Sequence, residues 1–455
     1  MTAPQMSVRV AVEGCCHGEL KQIYARIKSL PIQKRPDILF ICGDFQALRD
    51  ESDYPYISMP QKYKKLGDFR HYYQGEEAAP VMTVFIGGNH EASNFMHELR
   101  YGGWVAPNIY YMGYSNVIWY RGLRIGGISG IFKLFDFYKR RQETVPLDVK
   151  HVGSVYHTRF EEYLKVSMIR NLNIDVFLSH DWPEGIYKFG DLSRLLRKKP
   201  FFSKDIQRGE LGSPPNLKLL KRLKPNYWFS AHLHVRFEAT VDHDDAVPKR
   251  KLSNSAHSAV KKPKNGDEIE LDLDSNTSEI ELNLESKNND EIELDLEDFS
   301  TTNKIEPNVD SLDTENMNLA IDEPSNLEPP KEIAKGFNKT KFLSLDKCVP
   351  GRQYLEYIDI PLTNTDHPSC HDNENLYHDL EYLKITKWFK KFHQGEIYSS
   401  LKLDDINDEF IEQFVSDIHE VDLKFDSDLK VIKNFEPTIE NPTFQTDQFL
   451  KRFNL

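Results

Sequence analysis

An α/β fold of layered sheets and helices is what this 455-residue sequence predicts. Three observations carry the prediction. Short apolar, β-branched runs recur at residues 8–12, 37–42, 81–86, 173–178 and 227–230, with the length and composition of buried parallel strands. Segments of helical spacing lie between them, the clearest carrying Leu20, Ile23, Tyr24, Ile27 and Leu30. Each of the five runs also stops abruptly at residues able to bind a metal, and ligands gather at the carboxyl ends of strands in open α/β sheets.

Taken in order, the first run ends at Glu13-Gly14-Cys15-Cys16-His17-Gly18. Pro31 and Pro36 bracket the turn into the second, which ends at Gly43-Asp44. The third enters a tight polar turn, Gly87-Gly88-Asn89-His90-Glu91, whose glycines permit a sharp bend. A Gly- and Tyr-rich stretch, 101–131, predicts further strands and hairpins, including 116–120 and 123–128. The fourth run ends at Ser179-His180-Asp181 and the fifth at Ala231-His232-Leu233-His234. Strand patterns return at 340–345 and 354–358, followed by helical stretches at 376–392 and 408–421. These late strands are expected to pair with the first half, which makes the intervening segment an insertion.

That segment differs in composition. The whole chain carries a net charge of −13, but residues 265–330 alone hold 21 Asp and Glu against 2 Lys. Residues 1–242 hold 34 Lys and Arg against 25 Asp and Glu, a mildly basic body compatible with a polyanionic partner. The insertion opens with two basic clusters, Pro248-Lys249-Arg250-Lys251 and Lys261-Lys262-Pro263-Lys264. An acidic–aliphatic heptapeptide then repeats from Asp267, Ser278 and Asp290. Alternation could make strands, but the charge density and lack of aromatics predict disorder. The five cysteines (Cys15, Cys16, Cys42, Cys348, Cys370) are odd in number and widely spaced, which argues for free thiols in a reducing compartment. No apolar run is long enough for a membrane span, and the first residues do not read as a secretory signal.

The strand ends together supply Cys15, His17, Asp44, Asn89, His90, His180, His232 and His234. Imidazole and carboxylate suit zinc, iron and manganese. A carboxylate between two imidazole-rich sets can bridge two cations, the arrangement that clamps a phosphoryl group. Alone, His232-x-His234 is an ordinary exposed pair, and a lone cysteine at a strand end is more often a small buried hydrophobe. The ordered set is what is specific.

This set resembles the calcineurin-like metallophosphoesterase superfamily, whose pattern is Asp-x-His, Gly-Asp, Gly-Asn-His-Glu, a histidine, then Gly-His-x-His. Here Ala231 replaces a glycine and Cys15 the first aspartate. The cysteine narrows the resemblance to the RNA lariat debranching enzymes, whose first motif matches Gly14-Cys15-Cys16-His17-Gly18. Further matches are Ser129-Gly130-Ile131-Phe132-Lys133, Ser154-Val155-Tyr156-His157, Ser179-His180-Asp181-Trp182-Pro183, and Phe342-Leu343-Ser344-Leu345-Asp346-Lys347-Cys348.

The resemblance implies an αββα metallophosphoesterase sandwich over residues 1–242, a disordered acidic insert over 243–338, and a C-terminal lariat-debranching domain over 339–455. It implies hydrolysis of the 2′-5′ phosphodiester at the branch of intron lariat RNA. Metal-activated water would attack the phosphorus and His90 would protonate the leaving 2′-oxygen, with Asn89 beside it. Asp44 would bridge; Asn89, His180 and His232 would complete one metal position, and Cys15, His17 and His234 the other. One or two divalent ions (Fe2+, Zn2+ or Mn2+) are implied, since a thiolate is softer than a carboxylate and supplies one coordinating atom. A recognition loop at about 129–159 would bind RNA through Lys133, Tyr138, Lys139, Arg140, Arg141, Tyr156, His157 and Arg159, with Phe135 and Phe137 also able to stack on bases. Without the resemblance that stretch reads as a solvated loop. Glu91 is expected to orient a neighbour. The basic clusters fit a bipartite signal for an import receptor, and a nuclear monomer, with some cytoplasmic presence, is expected. Two other readings stand beside this one: a superfamily phosphatase or DNA nuclease with a different phosphoester, and a non-catalytic scaffold.

Overall fold

The computed structural model describes residues 6–244, 335–423, 428–437 and 441–455. The basic clusters at 248–251 and 261–264 and the acidic repeats lie outside the described residues. Two sheets form the centre. The first has the order β12-β1-β2-β3-β5-β4, from β1 (Ser7–Glu13), β2 (Ile38–Ile41), β3 (Met82–Phe85), β4 (Gly103–Ala106), β5 (Ile109–Tyr111) and β12 (Leu355–Pro361). The second has the order β10-β11-β9-β8-β7-β6-β13, from β6 (Ser115–Tyr120), β7 (Leu123–Ile128), β8 (Val176–Ser179), β9 (Tyr227–Ser230), β10 (Phe237–Asp242), β11 (Lys339–Ser344) and β13 (Tyr377–His378).

Side-chain alternation explains the layering. Val8, Val10, Val12, Ile38 and Phe40 point one way from the first sheet and meet Ile125, Val176, Leu178, Phe229 and Leu343 of the second. Their alternates, Ala11, Leu39 and Ile41, face outward against Leu20, Ile23, Tyr24 and Ile27 of helix Leu20–Lys28. On the far side, Phe177, Trp228 and Phe342 are covered by helices Phe160–Ser167 and Pro214–Leu223 through Leu164, Leu219 and Leu223. Both faces of the central strands β2, β3, β8 and β9 are therefore buried, which is why these strands read as continuous apolar runs. The αββα sandwich expected from the sequence is the fold.

The late strands are structural members of both sheets. β11 lies between β10 and β9, antiparallel to one (Phe237↔Ser344 to Asp242↔Lys339) and parallel to the other (Ser344↔Ser230). β12 pairs along the whole of β1, from Ser7↔Pro361 to Glu13↔Leu355. The His243 amide donates to the Asn338 carbonyl at 2.8 Å, so the two ends of the intervening segment are neighbours.

Element bounds differ from expectation in two places. The helix expected over 376–392 begins only at Leu380, because Tyr377–His378 pairs with β6 and Asp379 caps the helix by accepting from the Tyr382 amide. The one expected over 408–421 is two short helices, Asp408–Gln413 and Val415–His419, with Phe414 off helical geometry between them. Among the described residues no helix is long and apolar enough to cross a membrane.

Candidate metal centre

The carboxyl ends of β1, β2 and β3 in one sheet, and of β8 and β9 in the other, bring Cys15, His17, Asp44, Asn89, His90, His180, His232 and His234 to one rim of the sandwich. Backbone conformation shows how tightly the loops are drawn in. His17, Asp44, His232 and His234 all have positive φ, at 47°, 47°, 64° and 47°. Left-handed backbone away from glycine costs about 1–3 kcal/mol per residue and persists where surrounding structure enforces it, typically at functional sites.

Asp44 sits between two groups. Its Oδ2 is 3.7 Å from His17 Nε2, and His17 Nε2 is 3.3 Å from His234 Nε2. Ligand atoms of Cys15, His17, Asp44 and His234 all lie within 4.8 Å of one another. On the other side Asp44 Oδ1 is 3.4 Å from His180 Nε2, which is 3.3 Å from Asn89 Oδ1. The His180 and His232 rings lie 5.0 Å apart.

The donors fit a cation. His180 Nδ1 is 2.7 Å from the Cys42 carbonyl, which can only accept, so Nδ1 carries the proton and Nε2 presents a lone pair. That lone pair faces two oxygens that also only accept. Burial lowers His180 to about 4 and His17 to about 4, so no proton fills the gap at neutral pH. Burial also pushes His234 well below its ordinary value. Burial opposes ionisation of Asp44, yet the facing imidazoles of His180, His90 and His17 hold its carboxyl well below the usual carboxylate range. Acceptors facing acceptors around a buried carboxylate is the arrangement a divalent ion resolves. Cys15 is fully buried, its Sγ accepts from the His232 amide at 3.2 Å, and burial pushes its thiol up.

His90 takes a different position. Its amide donates to Asp44 Oδ1 at 2.9 Å, its Nδ1 lies 2.9 Å from the Ser58 carbonyl, and its Nε2 lies 3.1 Å from Asn89 Nδ2. Glu91 explains itself in the fold. It is buried and accepts three backbone N–H bonds, from Phe45 (2.8 Å), Gln46 (2.9 Å) and Gly88 (2.9 Å). It thus ties the loop carrying Asp44 to the loop carrying Asn89. Burial and the Asp44 charge push its carboxyl up to about 8 against the pull of those donors.

The stretch 129–159 divides. Tyr138, Lys139 and Arg140 are exposed and Lys133 half-buried, with Lys139 paired to Asp136 at 2.9 Å and Arg140 donating to Ser399 Oγ at 3.1 Å. Phe135 is exposed beside them. Arg141, His157 and Arg159, also expected to contact phosphates, each make contacts within the protein. Arg141 bonds Glu162 at 3.0 Å and lies 3.6 Å over the Tyr114 ring. Arg159 reaches Glu143 at 3.2 Å and the Ser154 carbonyl at 3.1 Å. His157 Nδ1 is 2.8 Å from Asp136 Oδ2. Phe137 is also buried, packed on Phe160 and Tyr163, and offers no stacking face.

Three site residues escaped the sequence reading. Gln46 sets its amide 3.0 Å from His17 Nδ1, and its place two residues after Asp44 was the available signal. Lys347 follows β11 and pairs with Cys15 in an isolated parallel bridge, so a sixth strand end reaches the rim. Ser58 holds His90 from 32 residues away, with no signal in the sequence.

Comparison with known proteins agrees with this geometry. The calcineurin-like phosphoesterase family matches residues 8–236, and the family described as lariat debranching enzyme, C-terminal domain, matches residues 337–453. The chain is 42% identical over 391 residues to the lariat debranching enzyme of Schizosaccharomyces pombe, covering 86% of this chain and 80% of that protein. It is 40% identical over 383 residues to that of Saccharomyces cerevisiae, covering 83% and 82%. It is 52% identical over 239 residues to that of Homo sapiens, covering 52% and 44%. A calcineurin-like phosphoesterase sandwich, continuous with the matching C-terminal segment, makes this chain a member of the lariat debranching enzyme family.

Proposed function

We propose that this chain hydrolyses the 2′-5′ phosphodiester bond at the branch of an excised intron lariat RNA, giving a linear RNA for intron turnover. The observation that carries the reading is the buried carboxylate of Asp44, with imidazoles on both sides and His90 beside it, in a chain of this family. The residues fit divalent metal. When bound, such ions would supply an activated water and neutralise charge on the phosphoryl oxygens.

The chain's own groups account for the remainder. Cys15, His17 and His234 would hold one ion, and Asn89, His180 and His232 the other, with Asp44 shared. Cys15 and the imidazoles favour Fe2+, Zn2+ or Mn2+ over magnesium. Left-handed His17, Asp44, His232 and His234 keep these atoms fixed, so no reorganisation is needed at reaction. A ribose 2′-alkoxide leaves poorly unless protonated, and His90 Nε2 is the acid we assign to it. Lys133, Tyr138, Lys139 and Arg140 would contact the RNA flanking the branch. Residues 1–242 form the catalytic body in this reading, 339–455 the debranching-specific segment, and 243–338 an insert whose basic clusters address an import receptor and the nucleus. The working unit is a monomer.

The test offers the purified protein a branched RNA and a linear 3′-5′ RNA with each candidate metal. Cleavage of the branch alone is expected. Cleavage of linear RNA, or of neither substrate with any metal, would overturn the reading. His90→Ala should lose about 10²–10⁴-fold in turnover while still binding branched RNA. Metal analysis of protein purified without chelator distinguishes one bound cation from two.

A further inference from the structure

His90 is held from behind by a residue with no chemistry of its own. The Ser58 carbonyl can only accept, so His90 Nδ1, 2.9 Å away, carries a proton and Nε2 is turned toward the centre, beside Asn89. Ser58 is itself anchored. Its Oγ accepts a hydrogen bond from the Tyr156 hydroxyl at 3.1 Å, across 98 residues of sequence. Tyr156 ends helix Val152–Tyr156 within the 129–159 stretch. Its carbonyl accepts from the Ile131 amide at 3.0 Å, and the preceding Gly130 amide donates to the Gly87 carbonyl at 2.9 Å. Gly130 has φ +89°, and a Cβ there would lie 2.1 Å from the Tyr156 carbonyl oxygen. The Tyr156 backbone is therefore pinned to the turn that precedes Asn89-His90, while its hydroxyl reaches the residue that orients the His90 ring.

We propose that Tyr156 and Ser58 form a positioning relay through which the 129–159 loop fixes the orientation and tautomer of His90, so that Tyr156 acts on proton delivery and not by stacking on a base. The inference rests on the debranching reading and on His90 as its acid. In the step concerned, a water oxygen forms a bond to phosphorus and releases one of its protons to solvent, as the bond from phosphorus to the 2′-oxygen breaks. The 2′-oxygen keeps the electron pair and takes the proton from His90 Nε2. Neutral His90 retains its Nδ1–H bond to Ser58, and bulk water returns the proton. A ring free to rotate about its Cβ would spend most of its time with Nε2 off the leaving oxygen, and misplacement of about 1 Å costs about 10²-fold.

The experiment uses the full chain loaded with metal and two substrates: a branched RNA, and bis(p-nitrophenyl) phosphate, whose leaving group needs no proton. Tyr156→Phe and Ser58→Ala each remove one end of the Tyr156–Ser58 hydrogen bond and leave the Ser58 carbonyl in place. Each should lower kcat for branched RNA about tenfold, leave KM within about twofold, and leave p-nitrophenyl release unchanged. The double variant should lose no more than either single one, because both act through one bond. A raised KM with kcat intact would make Tyr156 a substrate contact and overturn the relay. Equal slowing of both substrates would reduce it to loop folding, and additive losses would show two separate effects; either result sinks the proposal. Wild-type failure on branched RNA would instead count against the debranching reading, independently of the variant ratios.

Discussion

A β-carbon on Gly88 would lie 2.3 Å from Asp44 Oδ1 and 2.7 Å from His180 Cε1. Neither atom can move without disturbing the Asp44 carboxylate or the imidazole whose tautomer the Cys42 carbonyl fixes. Gly87, one residue earlier, would meet nothing closer than the Tyr111 hydroxyl at 3.5 Å. Gly88→Ala is therefore expected to lose bound metal and about 10²-fold or more in activity, while Gly87→Ala keeps its metal. Metal content and branch cleavage measured side by side check the contrast, and equal effects at both positions would refute it. At this scale the sequence displayed the candidate ligands plainly, since each stands directly after an apolar run. It could not display which of the two glycines is indispensable, because that depends on contacts with Asp44 and His180 from other strands.

At the scale of elements, the 129–159 loop is stiffened by an internal ion-pair network. Burial alone would raise the Glu143 carboxyl, but Arg141, Ser154 and Arg159 hold it down to about 2. A depressed carboxylate contributes stability that is fully present above its unfolded value, 4.5, and is lost as pH falls towards 2. Glu143→Gln should therefore lower Tm at pH 7, with the gap to wild type closing between about pH 4.5 and pH 2. A gap that widens on acidification would contradict the network. The helix Leu380–Phe392 is anchored by another such element. Buried Arg124 donates to both oxygens of Asp379, at 2.9 Å each, and to Glu381 at 2.9 Å. Removing one partner of a buried pair costs about 3–5 kcal/mol, whereas replacing both with apolar groups costs less. Urea unfolding of Asp379→Ala should show that loss, and the Asp379→Ala, Arg124→Met double variant should recover much of it. Arg141 and Arg159 show what a sequence hides about loop arginines. Charge is visible in a sequence, but its partner, Glu143 or Glu162, is not.

The whole molecule depends on chain from both sides of the acidic segment. β11 fills the place between β9 and β10, and β12 covers the edge of β1, the strand that delivers Cys15 and His17. A truncation ending at residue 244 would leave β10 unpaired and β1 open, and it is expected to be insoluble or unfolded by circular dichroism. Replacing residues 245–334 with a short Gly/Asn turn is expected to keep fold and branch cleavage within about twofold of wild type, because the His243–Asn338 bond already brings the two ends together. A folded truncation, or an inactive turn replacement, would count against this division of labour.

The sequence by itself determined the fold class, the five strand ends and the identity of the groups gathered there, because buried parallel strands and abrupt polar termini are local patterns. It also determined the family, through the cysteine in Gly14-Cys15-Cys16-His17-Gly18 and the 342–348 segment. Only the tertiary structure decided that Asp44 turns one oxygen to each side, that Glu91 ties two loops with three backbone bonds, and that Ser58 orients His90. Each of those facts is a contact between residues brought together from different loops. Such contacts are fixed by packing and backbone close approach, and no local pattern encodes them.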